Sequence, residues 1–133
     1  MIYLDSCILI YRLEGVPGQA EAIARAMRAS AGVVFCISNL VRMECLVGPI
    51  RDGDEQRRAG FEAHFRKLRR LTLTKAVFDL AAELRALHRL KTPDALHAAA
   101  AIHHGCEEIW TGDRRFAVLA DRFKIRAFED SAP

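Results

Sequence analysis

The chain has 133 residues, of which 51% are hydrophobic and 28% charged, and a formal net charge of +3. This length and balance exclude a disordered or fibrous protein and predict a single globular domain over residues 1–133. The apolar runs fall short of the roughly 18 residues that span a bilayer, and the N-terminus lacks the basic region and cleavage site of a signal peptide. We therefore expect a cytoplasmic protein with no membrane segment.

Strand-like and helix-like segments alternate along the chain. The hydrophobic pattern predicts strands at 2–4, 33–37, 108–111 and, at one edge of the sheet, 124–128. It predicts helices at 6–13, 19–30, 38–47, 54–71, 75–90, 92–104 and 114–120, the third of them stopped by Gly48 and Pro49. Segment 33–37 is apolar on both faces, which is typical of a strand in a parallel sheet covered by helices. The sequence therefore predicts an α/β fold with a mainly parallel central sheet.

Positive charge is concentrated between Arg51 and Lys75, where eight basic residues stand against four acidic ones. A solvated helix face and a nucleic-acid contact both fit this pattern. The candidate nucleic-acid contacts in this stretch are Arg66, Lys67, Arg69 and Arg70.

Four acidic residues occupy positions that a doubly wound sheet brings together. Asp5 ends the first strand, and Asp113 follows the strand 108–111 across Gly112. Glu44 and Asp94 lie on helices that can reach the same crevice. Because ligands bind outside the carboxyl ends of the strands in such sheets, these residues are candidates for one site.

Three of these acids also have a purely structural explanation. Asp5 can cap the helix that follows it, and Asp113 can be a turn residue or a helix cap. Asp94 follows Thr92 as N-cap and Pro93 as the first helical residue, where the helix dipole stabilises a carboxylate.

Glu44 is harder to explain by structure alone. At ~100° per residue along a helix, Leu40, Val41, Met43 and Val47 fall around it, and this face offers no Arg or Lys partner. A buried carboxylate is costly unless it is paired or binds a metal. The position of Glu44 therefore favours a metal site.

The available ligands indicate which metal is expected. The four acids supply only oxygen atoms, which suit Mg²⁺ or Mn²⁺. The five histidines show no zinc-binding spacing and the four cysteines form no CxxC pair, so we expect buried free thiols and no zinc site. His97 lies one turn after Asp94, a spacing that allows it to face the site but does not favour it.

The four acids lie in four short motifs. These are Tyr3-Leu4-Asp5-Ser6, the segment ISNLVRME at 37–44, the segment TPDALHAAA at 92–100 and the segment TGDRRF at 111–116. Together they span essentially the whole chain and resemble the PIN-domain ribonucleases, most closely the VapC-type toxins of bacterial toxin–antitoxin pairs. The resemblance implies a PIN-like doubly wound α/β/α sandwich.

The resemblance also implies a chemistry for the acids. It identifies the chain as similar to endoribonucleases that hydrolyse RNA with a metal-activated water. The residues that would hold Mg²⁺ or Mn²⁺ are Asp5, Glu44, Asp94 and Asp113.

Other residues would support that chemistry. Ser6 and Thr111 would hold carboxylates in place through their hydroxyls, and Arg114 and Arg115 would join the basic residues that bind the RNA backbone. Many relatives carry a further acid shortly after the fourth motif's Asp, where this chain has Arg115 and Ala117. This difference leaves open whether a second metal binds without substrate.

Two kinds of partner are expected. The resemblance implies a small antitoxin of the VapB type laid across the active-site groove. The helix after Asp5 carries more apolar residues than one core-facing stripe requires, which indicates a homodimer, although a helix buried inside the monomer explains the same pattern. The apolar residues are Ile8, Leu9, Ile10, Tyr11 and Leu13.

Two other kinds of function stay open. A phosphatase of the haloacid-dehalogenase type also begins with a strand-end Asp, but the second Asp that it needs is Cys7 here. A PIN-like fold can also serve as a non-catalytic scaffold or as a housekeeping RNA-processing nuclease. Scaffolds usually lose one or more of the acids, whereas this chain keeps four.

Overall fold

A computed structural model describes residues 1–128. Their strands are β1 (Ile2–Leu4), β2 (Phe35–Ser38), β3 (Arg69–Leu71), β4 (Glu108–Thr111) and β5 (Lys124–Ala127). Their α-helices are α1 (Ser6–Glu14), α2 (Gln19–Ala29), α3 (Asn39–Arg51), α4 (Glu55–Phe65), α5 (Lys75–His88) and α6 (Thr92–His103). A 3₁₀ helix spans Arg114–Leu119.

All of these strands run parallel in one sheet with the order β3-β2-β1-β4-β5. The chain leaves the central strand β1 toward β2 and β3, and later returns on the other side of β1 as β4 and β5. The order reverses between β1 and β4, which is where open parallel sheets bind ligands. The doubly wound α/β/α sandwich expected from the sequence is confirmed.

The core is centred on the inner strands and on α6. Tyr3, Leu4, Ile37 and Ile109 are completely buried, because a parallel strand covered on both faces has no solvent side. Small side chains let α6 pack closely against α5 and β4, which brings the first turn of α6 to the strand ends. The buried alanines of α6 are Ala95, Ala98, Ala99, Ala100 and Ala101.

Helix α3 continues past Gly48 and Pro49, so the predicted stop at these residues is wrong. Pro49 is buried, and Gly48 lies so close to α4 that an added Cβ would stand 2.7 Å from the guanidinium of Arg57. Packing of α3 against α4 therefore outweighs the local cost of these residues, about 1 kcal/mol for Gly and about 3 kcal/mol for Pro.

The single basic helix predicted for 54–71 is also wrong. Helix α4 ends at Phe65, and Arg69–Leu71 forms the edge strand β3 beside β2. Only Leu71 of this strand is buried, and both arginines are exposed. A strand of three residues is too short to show the alternation by which strands are recognised in a sequence.

Helix α1 carries the apolar residues from which a homodimer was expected. Ile8 and Leu9 are completely buried, Ile10 and Tyr11 pack against the core, and Leu13 is 36% exposed. The contacts come from α2, α3 and β4 of the same chain. The apolar composition of α1 is therefore explained by the fold, and the homodimer stays a prediction.

Two further expectations concern the cysteines and the membrane. All four cysteines are free thiols, and Cys36, Cys45 and Cys106 are buried as expected, whereas Cys7 is only partly buried. Within residues 1–128, no helix combines the length and the apolar character needed to cross a bilayer.

Candidate active site

Asp5 stands directly after β1, at the carboxyl end of the sheet. One oxygen, Oδ1, accepts the capping hydrogen bond of α1 from the backbone N–H of Ile8 at 3.4 Å. The other, Oδ2, accepts from the Thr111 hydroxyl at 2.5 Å. Burial raises the pKa of Asp5 from 3.8 to about 6, while the hydrogen bond from Thr111 acts in the opposite direction. Asp5 is therefore both a helix cap and a buried, firmly held carboxylate.

Asp113 is joined to Asp5 through Thr111. The Thr111 hydroxyl accepts from the backbone N–H of Asp113 at 3.1 Å. Asp113 in turn caps the 3₁₀ helix, since its Oδ1 accepts from the backbone N–H of Arg115 at 2.8 Å. The Thr111 hydroxyl therefore contacts both Asp5 and the backbone of Asp113, whereas the Ser6 hydroxyl makes no hydrogen bond to the acids among the described residues.

Asp94 lies in the first turn of α6 and shares a cation with Asp113. The Arg115 guanidinium donates to Asp113 Oδ2 at 2.5 Å and stands 3.6 Å from Asp94 Oδ2. The helix begins at Thr92 with Lys91 as N-cap, so the predicted capping role of Thr92 is wrong by one residue. Arg115 is half exposed and links two of the four acids.

Glu44 is not surrounded by a buried apolar face as predicted. Val41 is completely buried, but Met43 and Val47 are 56% and 55% exposed, so the predicted apolar face around Glu44 is only partly buried. Glu44 also has a partner that the local sequence does not supply, because its Oε1 stands 2.6 Å from Nε2 of His97. His97 is buried and faces the site, an orientation that the sequence allowed but did not favour.

All four acids act electrostatically on the thiol of Cys7. Burial, followed in decreasing order by the charges of Asp5, Glu44, Asp113 and Asp94, raises the pKa of this thiol from 9.0 to about 12. Charges have such an effect only at short range in a protein. Together with the contacts of Thr111, Arg115 and His97 described above, this effect places the four predicted acids at the same end of the sheet.

The chemistry of this cluster fits a hard divalent cation, because four carboxylates supply only oxygen ligands. Burial already disfavours the charged form of Asp5, and a cation would offset that cost. Within residues 1–128, no three acidic, histidine or cysteine side chains are close enough to hold one ion directly. Binding would therefore involve bridging waters or rotation of side chains, above all of Asp94 and Asp113 away from Arg115.

The predicted nucleic-acid contacts lie in two places. Arg115 and its neighbour Arg114 begin the 3₁₀ helix beside the acids. Arg69 starts β3 and contacts the sulfur of Met1 at 3.7 Å, which places it at the amino end of the sheet. Arg66 and Lys67 lie in the turn that leads into β3, and Arg70 follows Arg69 in that strand.

Solved structures with this architecture come from several bacteria. VapBC2 from Rickettsia felis, bound to a DNA fragment of its promoter, is 18% identical with a TM-score of 0.78, over 97% of this chain and 100% of that one. A toxin–antitoxin complex from Klebsiella pneumoniae is 25% identical with a TM-score of 0.73, over 88% and 91%. VapC20 from Mycobacterium tuberculosis, a toxin that cleaves the sarcin–ricin loop, is 19% identical with a TM-score of 0.76, over 95% and 99%.

The family comparison covers most of the sequence. A search of curated proteins gives no match. Residues 2–122 match the PIN domain family, and this range contains all four acids. The resemblance inferred from the motifs is thus confirmed by family and by fold, and the chain belongs to the PIN domain family.

Proposed function

We propose that this chain is a Mg²⁺- or Mn²⁺-dependent endoribonuclease and the toxin of a toxin–antitoxin pair. The proposal is carried by one observation: four carboxylates from four separate segments lie at the switch point of the sheet, where Thr111, Arg115 and His97 contact them. Membership of the PIN domain family and the similarity to the RNA-cleaving toxin VapC20 support it.

The protein's part in this reaction is to hold and balance charge. Four carboxylates would repel a phosphodiester unless cations neutralise them, and a divalent ion would supply that charge and an activated water. Thr111 fixes Asp5 for this purpose. Arg115 neutralises Asp94 and Asp113, and we expect its guanidinium to turn to a phosphate oxygen when metal and RNA bind.

A cleft of about 260 Å³ beside Asp94 supports RNA as the substrate class. Arg89, Lys91 and Arg115 line it. Arg89 and Lys91 are exposed, and neither forms an ion pair with another residue in the described range. Such cations suit the phosphates that flank the one being cleaved. The sequence did not reveal them, because two cations in a short interhelical turn form no pattern.

An exposed apolar surface on α3 supports a protein partner. Met43, Val47 and Ile50 are each more than half exposed and line a groove of about 430 Å³ together with Arg42 and Arg58. Exposed apolar groups with a charged rim are typical of binding surfaces. We propose that the groove takes an acidic amphipathic segment of a VapB-type antitoxin. The similar structure from Klebsiella pneumoniae is itself a toxin–antitoxin complex.

Cleavage of RNA by the purified chain in Mg²⁺, in Mn²⁺ and in EDTA tests the proposal. We expect cleavage with either ion and none with EDTA, and growth arrest when the chain is expressed alone. Metal-dependent cleavage with normal growth would favour a housekeeping nuclease. Absence of cleavage under all conditions, with the fold intact, would favour a scaffold.

A further inference from the structure

Glu44 is connected to the centre of the sheet by a chain of hydrogen bonds. The Ser38 hydroxyl is 2.8 Å from Tyr3 Oη, and Tyr3 Oη is 2.7 Å from Nδ1 of His97. Nε2 of His97 is 2.6 Å from Glu44 Oε1. Ser38 and Tyr3 are completely buried and His97 is 3% exposed. This series of hydrogen bonds is therefore shielded from water as far as the Glu44 carboxylate.

The donors and acceptors available in these groups fix the direction of each hydrogen bond in the series. A carboxylate only accepts hydrogen bonds, so Nε2–H of His97 donates to Glu44. The other nitrogen of a neutral imidazole, Nδ1, then accepts from the Tyr3 hydroxyl. Burial raises the pKa of Tyr3 well above its ordinary value, which keeps this hydroxyl protonated. The Ser38 hydroxyl donates to Tyr3 in turn.

Ser38 gives up a local interaction to take part in this chain. It is the N-cap residue of α3, yet its side chain makes no capping hydrogen bond. A serine cap stabilises a helix by about 1 kcal/mol. Its hydroxyl instead contacts Tyr3, 35 residues away along the chain. The hydrogen-bond series therefore connects β2, β1 and α6 to Oε1 of Glu44 on α3.

We propose that His97 is a positioning residue that holds Oε1 of Glu44, so that Oε2 remains free for a metal ion. This role rests on the proposed function. The exposed fractions fit it, since the His97 side chain is 4% exposed and that of Glu44 is 28% exposed. Metal-binding carboxylates are commonly fixed by such outer partners, whose loss weakens metal binding by about 10–100-fold.

Two substitutions separate the two nitrogens of His97. The amide nitrogen of Gln lies as many bonds from Cβ as Nε2 does, so His97→Gln keeps a donor for Glu44. Asn places its amide where Nδ1 lies, so His97→Asn keeps only the contact with Tyr3. We expect Mn²⁺ affinity, measured by calorimetry without RNA, to fall about 10–100-fold in His97→Asn and His97→Gln to recover most of the loss. RNA cleavage by these variants should change in the same order as their Mn²⁺ affinity. The change should be a lower kcat, with KM for RNA unchanged.

His103→Asn is the matched control, since His103 is an exposed histidine of the same helix, and it should bind Mn²⁺ like the wild type. The nitrogen-15 NMR spectrum of the histidine side chains in the metal-free wild type tests the direction of these hydrogen bonds without any substitution. We expect His97 to be the tautomer protonated at Nε2, and Tyr3→Phe to keep that tautomer, because the Glu44 carboxylate still accepts from Nε2–H.

The outcomes separate this inference from the proposed function. Wild-type Mn²⁺ affinity in His97→Asn, or a tautomer protonated at Nδ1, would overturn the positioning role and leave the nuclease proposal intact. A wild-type chain that binds no Mn²⁺ would overturn both.

Discussion

At the scale of single residues, Asp5 is the acid whose charge the fold disfavours. Its pKa is about 6 in the folded chain against 3.8 as the ordinary value, so the charged form costs folding free energy above about pH 6 and the cost disappears below about pH 4. An Asn at this position can still cap α1 and contact Thr111 without a charge. We expect Asp5→Asn in EDTA to be more stable than the wild type at neutral pH, by up to about 3 kcal/mol.

Urea unfolding at several pH values checks this prediction. The stability difference should shrink as the pH falls from about 6 to about 4, because the wild-type carboxyl then becomes neutral. Asp121→Asn is the control, since Asp121 is exposed and should show no such change. A difference that is independent of pH would contradict the assigned cause.

Asp94 tests the metal-ligand assignment most directly. Asp94→Asn keeps the size of the side chain and its place in the first turn of α6, but removes one charge from a cluster of like charges. We expect RNA cleavage to be lost and the stability to be unchanged or raised. Asp79→Asn, on the exposed face of α5, should keep full activity. Wild-type cleavage by Asp94→Asn, or its failure to fold, would show that the assignment is wrong.

At the scale of elements, the close approach of α1 to the loop after β4 depends on Gly112. A Cβ on Gly112 would stand 2.8 Å from Cβ of Cys7 and 2.9 Å from the hydroxyl of Tyr11. Since real Cβ atoms do not come so close, the loop that carries Asp113 would have to shift. We expect Gly112→Ala to cost about 1–3 kcal/mol and to reduce RNA cleavage.

Gly60 offers the matched control for that substitution. A Cβ on Gly60 meets no atom within 4 Å, and the residue lies inside α4. Ala is favoured over Gly in a helix by about 0.5–1 kcal/mol, so Gly60→Ala should be neutral or stabilising and fully active. Denaturant unfolding and an RNA cleavage assay on both variants check this prediction. Equal stability and equal cleavage activity of the two variants would exclude crowding at Gly112.

At the scale of the whole molecule, the two basic surfaces stand at different ends of the sheet. Arg89 and Lys91 lie beside Asp94, whereas Arg69 contacts Met1 at the amino end. We expect charge reversal at both Arg89 and Lys91 to raise KM for RNA and to flatten the salt dependence of binding by about one unit per lost phosphate contact. The same reversal at Arg69 and Arg70 should have a smaller effect, and an equal or larger one would place RNA at the opposite end.

The oligomeric state is a further property of the whole molecule. A homodimer stays our prediction, although α1 is now seen to be covered within the chain. Besides the residues of the α3 groove, Leu13, Phe78, Leu87 and Val118 are exposed apolar residues that a dimer could bury. Light scattering at micromolar concentration checks the prediction. A monomer in that range would contradict the homodimer.

Most of the architecture and the four acids were predicted from the sequence, because they depend on local patterns. Apolar runs bounded by turn residues indicate strands, and a parallel sheet gathers whatever follows its strand ends at one edge. Asp5 and Asp113 were found in this way. β3 was missed because it is an edge strand of three residues, and α3 was cut short because its packing on α4 outweighs the helix-breaking tendency of Gly48 and Pro49.

The partners of the acids were decided only by the tertiary structure. His97 and Glu44 are 53 residues apart in the sequence and 2.6 Å apart in space, and no local pattern links two such positions. The same holds for Arg115, which reaches back to Asp94. The sequence by itself determined which carboxylates form the cluster, since each follows from its own strand end or helix turn. The fold decided which side chains hold and neutralise them, because those contacts join elements that are distant along the chain.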